Sequence, residues 1–267
     1  MNIGTVLALI EMKTLTMEVN NMKRFENKKV MITGAGSGIG KRTAIAFAKE
    51  GAMIYLNDLP NQENVYLVKE ELLNFGVQAE LKLGNILAPE QVREMFNTIE
   101  KLDILVNNAG YLQEVPAIEL SDNDWDNMIK VHLYGTFYCC REAGRQMLNQ
   151  GSGRIINISS DLGQLGCEQL VHYSAAKGGI ISLTKALARE WGPKGVLVNS
   201  IAPGGTLTPL VERVGPDYVS EEAAKYPLKR LAEPSEIANV ILFLASEEAS
   251  FMTGQIVGVN GGGVMNG

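Results

Sequence analysis

Short apolar runs alternate along the chain with longer segments in which polar and apolar residues mix. Seven runs have the length and content of strands: 29–33, 53–58, 79–84, 102–107, 154–159, 196–201 and 255–260. Six longer segments have helical character: 39–50, 63–75, 89–100, 122–149, 173–191 and 234–246. Alternating strands and helices imply a parallel sheet, and nearly continuous apolar strands imply helices on both of its faces. The pattern predicts a doubly wound α/β fold with a seven-stranded parallel sheet.

The domain organisation follows from the same pattern. No linker, repeat or low-complexity segment interrupts residues 22–267, which we interpret as one domain. Residues 1–21 precede the first predicted strand, and “MKRFENKKVMITGAG” reads like a natural domain start. We therefore interpret residues 1–21 as an N-terminal tail or an over-called start. Their apolar stretch “IGTVLALI” has neither a preceding cationic segment nor an evident cleavage site, which argues against a secretory signal.

Composition narrows the classes of partner. The chain has 24 basic and 30 acidic residues, a net charge of −6 and no long basic run, which argues against nucleic acid. Cys139, Cys140 and Cys167 do not suggest a disulfide framework, so we expect a reducing, cytoplasmic compartment. No run approaches the ~18–20 apolar residues of a membrane span, and no zinc-ligand spacing occurs. We therefore expect neither a membrane partner nor a catalytic metal.

A glycine-rich turn, “TGAGSGIG” at 33–40, directly follows the first strand and opens the first helix. Its glycines remove side chains where the backbone must turn tightly and approach a ligand. The free N–H groups and positive dipole end of the next helix then suit a pyrophosphate. A flexible turn is the alternative, but the context of strand, turn and helix favours nucleotide binding in a Rossmann fold.

Asp58 ends the second strand, about 20 residues beyond the glycine turn. A carboxylate there can accept hydrogen bonds from both hydroxyls of an adenosine ribose, and it would repel a 2′-phosphate. Neither Ser37 nor Leu59 supplies a cation for such a phosphate. We therefore predict NAD rather than NADP, the alternative being a solvated aspartate at a strand end.

Tyr173 and Lys177 lie four residues apart in “HYSAAKGG”, at 172–179. On a helix, that spacing places both side chains on one face. The pair is either a solvated surface pair or an acid/base centre, and the pair alone does not decide between them.

Ordered motifs over nearly the whole chain from Lys28 to Gly262 resemble the classical short-chain dehydrogenase/reductase family. The matching segments are “TGAGSGIG”, “NNAG” (107–110), “ISS” with “YSAAK” (158–160 and 173–177), “NSIAPGGTLTP” (199–209) and 227–262. The resemblance implies an oxidoreductase in which Tyr173 exchanges a proton with the substrate oxygen. Lys177 would bind the nicotinamide ribose and lower the tyrosine pKa, and Ser160 would hydrogen-bond the same oxygen.

His132, in “VHLYGTF”, stands where the family often has a catalytic asparagine. The family residue acts largely through its backbone carbonyl, which helps to hold a water that links the lysine to solvent. His132 could keep that role, or it could be a neutral, hydrogen-bonded structural histidine.

The resemblance also implies a set of cofactor-binding positions. They are Gly34, Ser37, Gly38, Ile39, Gly40, Asp58, Asn85, Asn108, Ala109, Gly110, Tyr173, Lys177, Pro203, Gly204, Thr206 and Thr208. Asn85 replaces the aspartate usual in the family, yet its amide can both donate to and accept from an adenine edge. Asn107 would support the strand end, and several of these side chains could equally serve packing.

The resulting hypothesis is an NAD(H)-dependent oxidoreductase that interconverts a secondary alcohol and its ketone. The alternative is a 3-oxoacyl thioester reductase that uses NAD(P)H, and a minor alternative is a catalytically inactive, dinucleotide-sensing protein. Residues 161–172 and a lid at about 204–226 should shape the substrate pocket, but nothing in them selects an acyl chain, a sugar, a steroid or a simple alcohol. The resemblance further implies a homotetramer.

Overall fold

A seven-stranded parallel sheet lies at the centre of the computed structural model, which describes residues 23–212 and 215–265. The interpretation of residues 1–21 lies outside the described residues. The strands are β1 (Lys29–Thr33), β2 (Met53–Asn57), β3 (Ala79–Leu81), β4 (Ile104–Asn107), β5 (Gly153–Ile158), β6 (Val196–Pro203) and β7 (Ile256–Val259). All neighbouring strands pair in parallel, in the order β3-β2-β1-β4-β5-β6-β7. The predicted doubly wound sheet is thereby confirmed.

Helices cover both faces of this sheet. They are α1 (Gly38–Lys49), α2 (Glu63–Asn74), α3 (Pro89–Asn97), α4 (Asp122–Ile129), α5 (Gly135–Gln150), α6 (Leu162–Leu165), α7 (Val171–Trp191), α8 (Pro209–Glu212), α9 (Pro216–Ala224) and α10 (Pro234–Ala245). None of the helices in the described ranges combines the length and the apolar content that a membrane crossing requires.

The hydrophobic core consists of two layers, one on each face of the sheet. In β1, Val30 and Ile32 pack into the layer under α1, α2 and α10, whereas Met31 packs into the layer under α3, α5 and α7. Side chains in a strand alternate between faces, so a central strand covered on both sides must be apolar throughout. This requirement is the reason that the apolar runs revealed the strands in the sequence.

The strand order reverses between β1 and β4, since β2 and β3 lie on one side of β1 and β5 to β7 lie beyond β4. At such a reversal, the loops at the carboxyl ends of the two strands diverge and leave a crevice. The glycine-rich turn follows β1, and the “NNAG” segment begins at the end of β4. The fold therefore brings these two motifs to the same crevice.

The segment predicted as one helix over 122–149 is divided in the structure. Ser121 caps α4, its Oγ accepting a hydrogen bond from the Asp124 N–H, but residues Lys130–Tyr134 form a π-helical turn before α5 begins. There the Gly135 N–H donates to the Lys130 carbonyl, five residues back. Short π-helical turns inside helices occur frequently at functional sites. This one contains His132.

Candidate active site

The glycine-rich turn between β1 and α1 packs so closely that side chains are excluded from it. Gly34 has a φ of +64°, and a Cβ atom added there would lie 2.8 Å from the Ala109 Cα. A side chain at Gly40 would collide with the Gly34 carbonyl oxygen. The turn therefore tolerates glycine alone at these points, and it leaves the first N–H groups of α1 open to an anion. A dinucleotide pyrophosphate fits this cradle.

Asn108 fastens the turn to the neighbouring strand. Its Nδ2 donates to the carbonyl oxygens of Thr33 and Gly34, both at 3.0 Å. The N–H groups of Asn108 and Ala109 donate to Thr33 Oγ1 at 3.0 and 3.1 Å. Through these bonds, the “NNAG” segment connects the carboxyl ends of β1 and β4. A direct contact of this segment with adenosine remains a prediction.

Asn107, one residue earlier, is directed into the core. Its Nδ2 donates to Asn157 Oδ1 at 2.9 Å, which ties β4 to β5. The expectation that Asn107 supports the strand end agrees with this contact.

Asp58 binds the glycine-rich turn through its carboxylate. Oδ2 accepts a hydrogen bond from the Gly36 N–H at 3.0 Å, and Oδ1 accepts one from the Leu59 N–H at 2.9 Å. An ionised carboxylate has about four acceptor positions, so each oxygen keeps capacity for a ribose hydroxyl. Lys41, in the first turn of α1, forms an ion pair with Glu71 at 2.8 Å. The role of Asp58 toward NAD stays a prediction.

Asn85 forms hydrogen bonds within its own loop and with the start of α3. Its Oδ1 accepts a hydrogen bond from the Leu87 N–H at 2.9 Å, and its N–H donates to Gln91 Oε1 at 2.8 Å. The side-chain carbonyl thus stabilises the entry into α3, and recognition of an adenine edge stays a prediction.

The segment after β6 lies against the glycine-rich turn, and its contacts with a cofactor stay a prediction. A Cβ added at Gly38 would lie 3.1 Å from Thr208 Cγ2, and Thr206 Oγ1 donates to the Gly204 carbonyl at 3.0 Å. Ile39, by contrast, packs against the core layer under α1, so its side chain has a structural role. Pro203 is the last residue of β6 and directs the segment into the crevice.

Tyr173 and Lys177 lie on one face of α7, which settles the question raised by their spacing. Lys177 is 4% exposed, its Nζ donates to the Ile158 carbonyl at 2.7 Å, and Nζ lies 5.5 Å from the centroid of the Tyr173 ring. The pair is therefore not a solvated surface pair. Gly163 lies so close that an added Cβ would be 2.7 Å from the Lys177 carbonyl carbon. This close approach holds the loop that contains Ser160 against the helix.

The protein's own groups perturb the pKa values of this pair in a direction that the sequence did not predict. Burial raises the pKa of Tyr173 to about 12, a hydrogen bond with Ser160 lowers it, and the Asp161 charge raises it. Burial lowers the pKa of Lys177 to about 7. These values are those of the protein without cofactor. The lowered tyrosine pKa that we expected from Lys177 together with a positive nicotinamide stays a prediction.

The His132 side chain lies beside Tyr173. Its Nε2 lies 2.8 Å from the Tyr111 carbonyl oxygen and 3.3 Å from the Tyr111 backbone nitrogen, and the ring packs edge-on against Tyr173 with centroids 5.2 Å apart. Burial and the Lys177 charge hold the pKa of His132 well below its usual range. The imidazole is therefore neutral. A catalytic role through its backbone carbonyl, in the π-helical turn, remains a prediction.

Two residues that the sequence did not single out lie in the segments predicted to shape the substrate pocket or directly after them. Asp161, next to Ser160, accepts the Ser160 hydroxyl on Oδ1 at 3.0 Å. Tyr226 accepts a hydrogen bond from the Gly205 N–H at 2.7 Å and donates to Glu222 Oε1 at 3.3 Å. The position of Asp161 directly after Ser160 was the available signal, but its contact with Ser160 depends on the local loop geometry.

The three cysteines are not placed for nucleophilic chemistry. Cys139 and Cys140 are buried in α5, where burial raises the thiol pKa of both. Cys167 is exposed, and partial desolvation raises its pKa as well. The described ranges hold no group of three or more His, Cys, Asp or Glu side chains that could bind a metal ion.

Comparisons with known proteins agree with this geometry. A family model described as enoyl-(acyl carrier protein) reductase matches residues 34–263. The 3-oxoacyl-[acyl-carrier-protein] reductase FabG of Thermotoga maritima is 37% identical over 244 residues, which cover 90% of this chain and 98% of the relative. FabG of Aquifex aeolicus is 38% identical with the same coverage.

Solved structures of similar reductases superpose closely on this chain. A 3-oxoacyl-[acyl-carrier protein] reductase from Brucella melitensis superposes with a TM-score of 0.87 and 35% identity, covering 91% of this chain and 94% of that chain. A short-chain type dehydrogenase/reductase from Mycobacterium marinum has a TM-score of 0.87 and 31% identity, covering 93% and 100%.

The fold and the site together define an oxidoreductase that uses a nicotinamide dinucleotide. The chain belongs to the short-chain dehydrogenase/reductase family.

Proposed function

We propose that this chain reduces the ketone of 3-oxoacyl thioesters to the corresponding secondary alcohol, with NADH as the hydride donor. The observation that supports the chemistry is that the buried Lys177 Nζ lies 5.5 Å from the Tyr173 ring centroid and donates to the Ile158 carbonyl, two residues before Ser160. The names of the FabG relatives, at 36–38% identity over about nine-tenths of the chain, support the thioester over a general ketone. The presence of all three catalytic groups argues against an inactive sensor.

Each residue has a defined task in this proposal. Tyr173 donates a proton to the substrate oxygen, Ser160 hydrogen-bonds that oxygen, and Lys177 orients the nicotinamide ribose and stabilises the phenolate that remains. The bound cofactor supplies the hydride. Because its pKa is raised to about 12, Tyr173 keeps its proton at neutral pH, which suits the donor role in reduction.

The substrate class is tested by comparing kcat/KM for matched carbonyl compounds. We expect kcat/KM for a 3-oxoacyl thioester to exceed that for the free 3-oxo acid or a simple ketone of equal chain length by ~10-fold or more. The loss of reduced nicotinamide absorbance measures each rate. Equal or faster turnover of the simple ketone would instead favour the broader secondary-alcohol dehydrogenase.

The choice of cofactor is tested at Asp58. The Asp58→Asn variant loses the negative charge that accepts ribose hydroxyls and repels a 2′-phosphate, while keeping one side-chain oxygen that can accept from one of the two backbone N–H groups. We expect the ratio of kcat/KM for NADH to that for NADPH to fall ~10–100-fold, since hydrogen bonds to charged groups contribute ~1.5–3 kcal/mol. A preference of the unaltered enzyme for NADPH would overturn the cofactor proposal.

Asp103→Asn is the matched control for this measurement. Like Asp58, Asp103 is an aspartate that accepts a backbone hydrogen bond, from the Lys29 N–H at 2.9 Å. Asp103 lies beside the start of β1, at the end of the strands opposite the crevice. The ratio of kcat/KM for NADH to that for NADPH should therefore not change in this variant.

The predicted homotetramer is also part of the proposal. Tyr134 and Phe137, at the junction of the π-helical turn and α5, are 47% and 40% exposed and offer apolar surface for a partner subunit. The native mass in solution measures this assembly.

A further inference from the structure

Tyr226 connects the two ends of the predicted lid at 204–226. It follows α9 in the chain and is only 7% exposed. Its Oη accepts a hydrogen bond from the Gly205 N–H at 2.7 Å and donates to Glu222 Oε1 at 3.3 Å. One hydroxyl group therefore contacts both the main chain at the start of the lid and helix α9 near its end.

The ring of Tyr226 occupies space beside three glycines. A Cβ added at Gly204 or Gly263 would lie 2.9 or 2.8 Å from Tyr226 Cε1, and one added at Gly205 would lie 3.2 Å from Cε2. None of these three glycines has a φ in the left-handed region, so the backbone conformation does not require glycine there. The glycines instead allow the main chain to approach the ring closely.

Backbone hydrogen bonds hold the same segment from other directions. The Gly204 N–H donates to the Val259 carbonyl at 3.1 Å, and the Ala232 N–H donates to the Gly205 carbonyl at 2.9 Å. The Gly205 N–H, by contrast, is bound by the Tyr226 side chain. Loss of the tyrosine hydroxyl would therefore leave a partly buried N–H group without this acceptor, which is unfavourable.

The segment that Tyr226 holds leads directly to residues predicted to bind the nicotinamide half of the cofactor. Thr206 Oγ1 donates to the Gly204 carbonyl at 3.0 Å, and Thr208 Cγ2 would lie 3.1 Å from a Cβ added at Gly38. Gly38 is the first residue of α1, in the glycine-rich turn. The contact of Tyr226 with Gly205 thus affects the spacing between this segment and the turn.

The surrounding charges keep the Tyr226 hydroxyl protonated. Burial raises the pKa of Tyr226, and the charges of Asp161 and Glu222 raise it further, against a lowering by the Gly205 N–H. Glu222 Oε2 is paired with Lys225 Nζ at 2.6 Å, while Oε1 accepts from Tyr226. The hydroxyl thus has a proton to donate to Glu222 and a lone pair for the Gly205 N–H.

We propose that Tyr226 is a positioning residue whose ring and hydroxyl hold the Gly204–Gly205 peptide where the nicotinamide half of the cofactor requires it, and that Glu222 orients this hydroxyl. The inference rests on the proposed cofactor-binding role of residues 203–208. Without the hydroxyl, only a fraction of the molecules has the segment in that position. The apparent affinity for the cofactor falls by this fraction, whereas the bound cofactor selects the same arrangement and preserves turnover.

Tyr226→Phe removes the hydroxyl and keeps the ring beside the glycines. We expect Kd and KM for NADH to rise ~5–10-fold, as for one lost hydrogen bond, while kcat stays within ~2-fold. NADH fluorescence titration and steady-state kinetics measure these quantities. AMP, which has only the adenosine half, is measured as a competitive inhibitor against NADH, and its Ki should stay within ~2-fold. A role in folding alone would reduce the active fraction, and therefore kcat, without a change in KM.

Two variants at Glu222 test the second hydrogen bond of the hydroxyl. Glu222→Gln keeps an oxygen that accepts from Tyr226, so the NADH Kd should stay within ~2-fold, whereas Glu222→Leu should raise it ~3-fold. Added to Tyr226→Phe, the Leu substitution should have less than ~1.5-fold further effect, because both changes remove the same hydrogen bond. Tyr138→Phe, on α5, is the matched control for loss of a phenolic hydroxyl and should keep the NADH Kd.

An unchanged NADH Kd in Tyr226→Phe would overturn the inference, and so would equal weakening of NADH and AMP or an equal rise in Tyr138→Phe. If Tyr226→Phe fails to fold, the Glu222 variants decide, since equal NADH Kd values for Gln and Leu contradict the role of the hydroxyl. The titrations contain no carbonyl substrate and use the coenzyme that the unaltered enzyme prefers. Absence of thioester turnover in the unaltered enzyme therefore refutes the proposed function alone.

Discussion

The Tyr173→Phe variant is expected to lose about 1,000-fold in kcat while its Kd for NADH changes by less than about 3-fold. Phe keeps the ring that packs edge-on against His132 at 5.2 Å, so the fold and the cofactor crevice should persist. What disappears is the one proton donor that Ser160 and Lys177 orient toward the substrate oxygen. A loss of this size corresponds to about 4 kcal/mol of transition-state stabilisation.

Steady-state kinetics and NADH fluorescence titration measure the two quantities separately. Tyr138→Phe, on α5, is the matched control, because it removes a phenolic hydroxyl without touching the site and should keep full activity. A Tyr173→Phe enzyme that retains more than a tenth of the turnover would show that another group donates the proton.

The second large effect is expected at Lys177. Lys177→Met replaces a buried ammonium group by an uncharged side chain of similar length, and we expect kcat to fall ~100-fold and KM for NADH to rise. The variant loses the cation that stabilises the phenolate, the donor to the nicotinamide ribose, and the hydrogen bond to the Ile158 carbonyl at 2.7 Å.

The pH dependence provides an independent signature of this residue. Burial lowers the pKa of Lys177 to about 7 in the free protein, so the ammonium form is lost as pH rises through that value. Since kcat/KM reports the free enzyme, kcat/KM for NADH should decline above about pH 7 in the unaltered enzyme, and this limb should be absent from Lys177→Met. Lys185→Met, an exposed position further along α7, is the control and should retain both the rate and the limb.

The sequence predicted the architecture closely because its main determinant is local. A central strand such as β1 must be apolar on both faces, and the glycine-rich turn must lack side chains. Both requirements restrict the residue types at particular positions, so both can be recognised in the sequence. The π-helical turn at Lys130–Tyr134 could not be recognised in the sequence. It shifts the backbone hydrogen-bond acceptor by one residue while the spacing of apolar residues continues.

The chemistry of the site was predicted in its residues but not in its electrostatics. Motif order selected Ser160, Tyr173 and Lys177, and the structure places them together. The sequence did not predict that burial raises the pKa of Tyr173 in the cofactor-free protein, because desolvation arises only when distant segments close over the side chain. The contacts of Asp161 and Tyr226 were missed for the same reason, since Tyr226 reaches the site from the segment after α9.

By itself, the sequence determined the parallel sheet, the glycine-rich turn and the candidate residues Ser160, Tyr173 and Lys177, because each requires particular side chains at particular spacings. Only the tertiary structure decided which protonation states the site favours and which way its hydrogen bonds run. Those properties depend on burial and on contacts between segments far apart in the chain, and no local pattern records either.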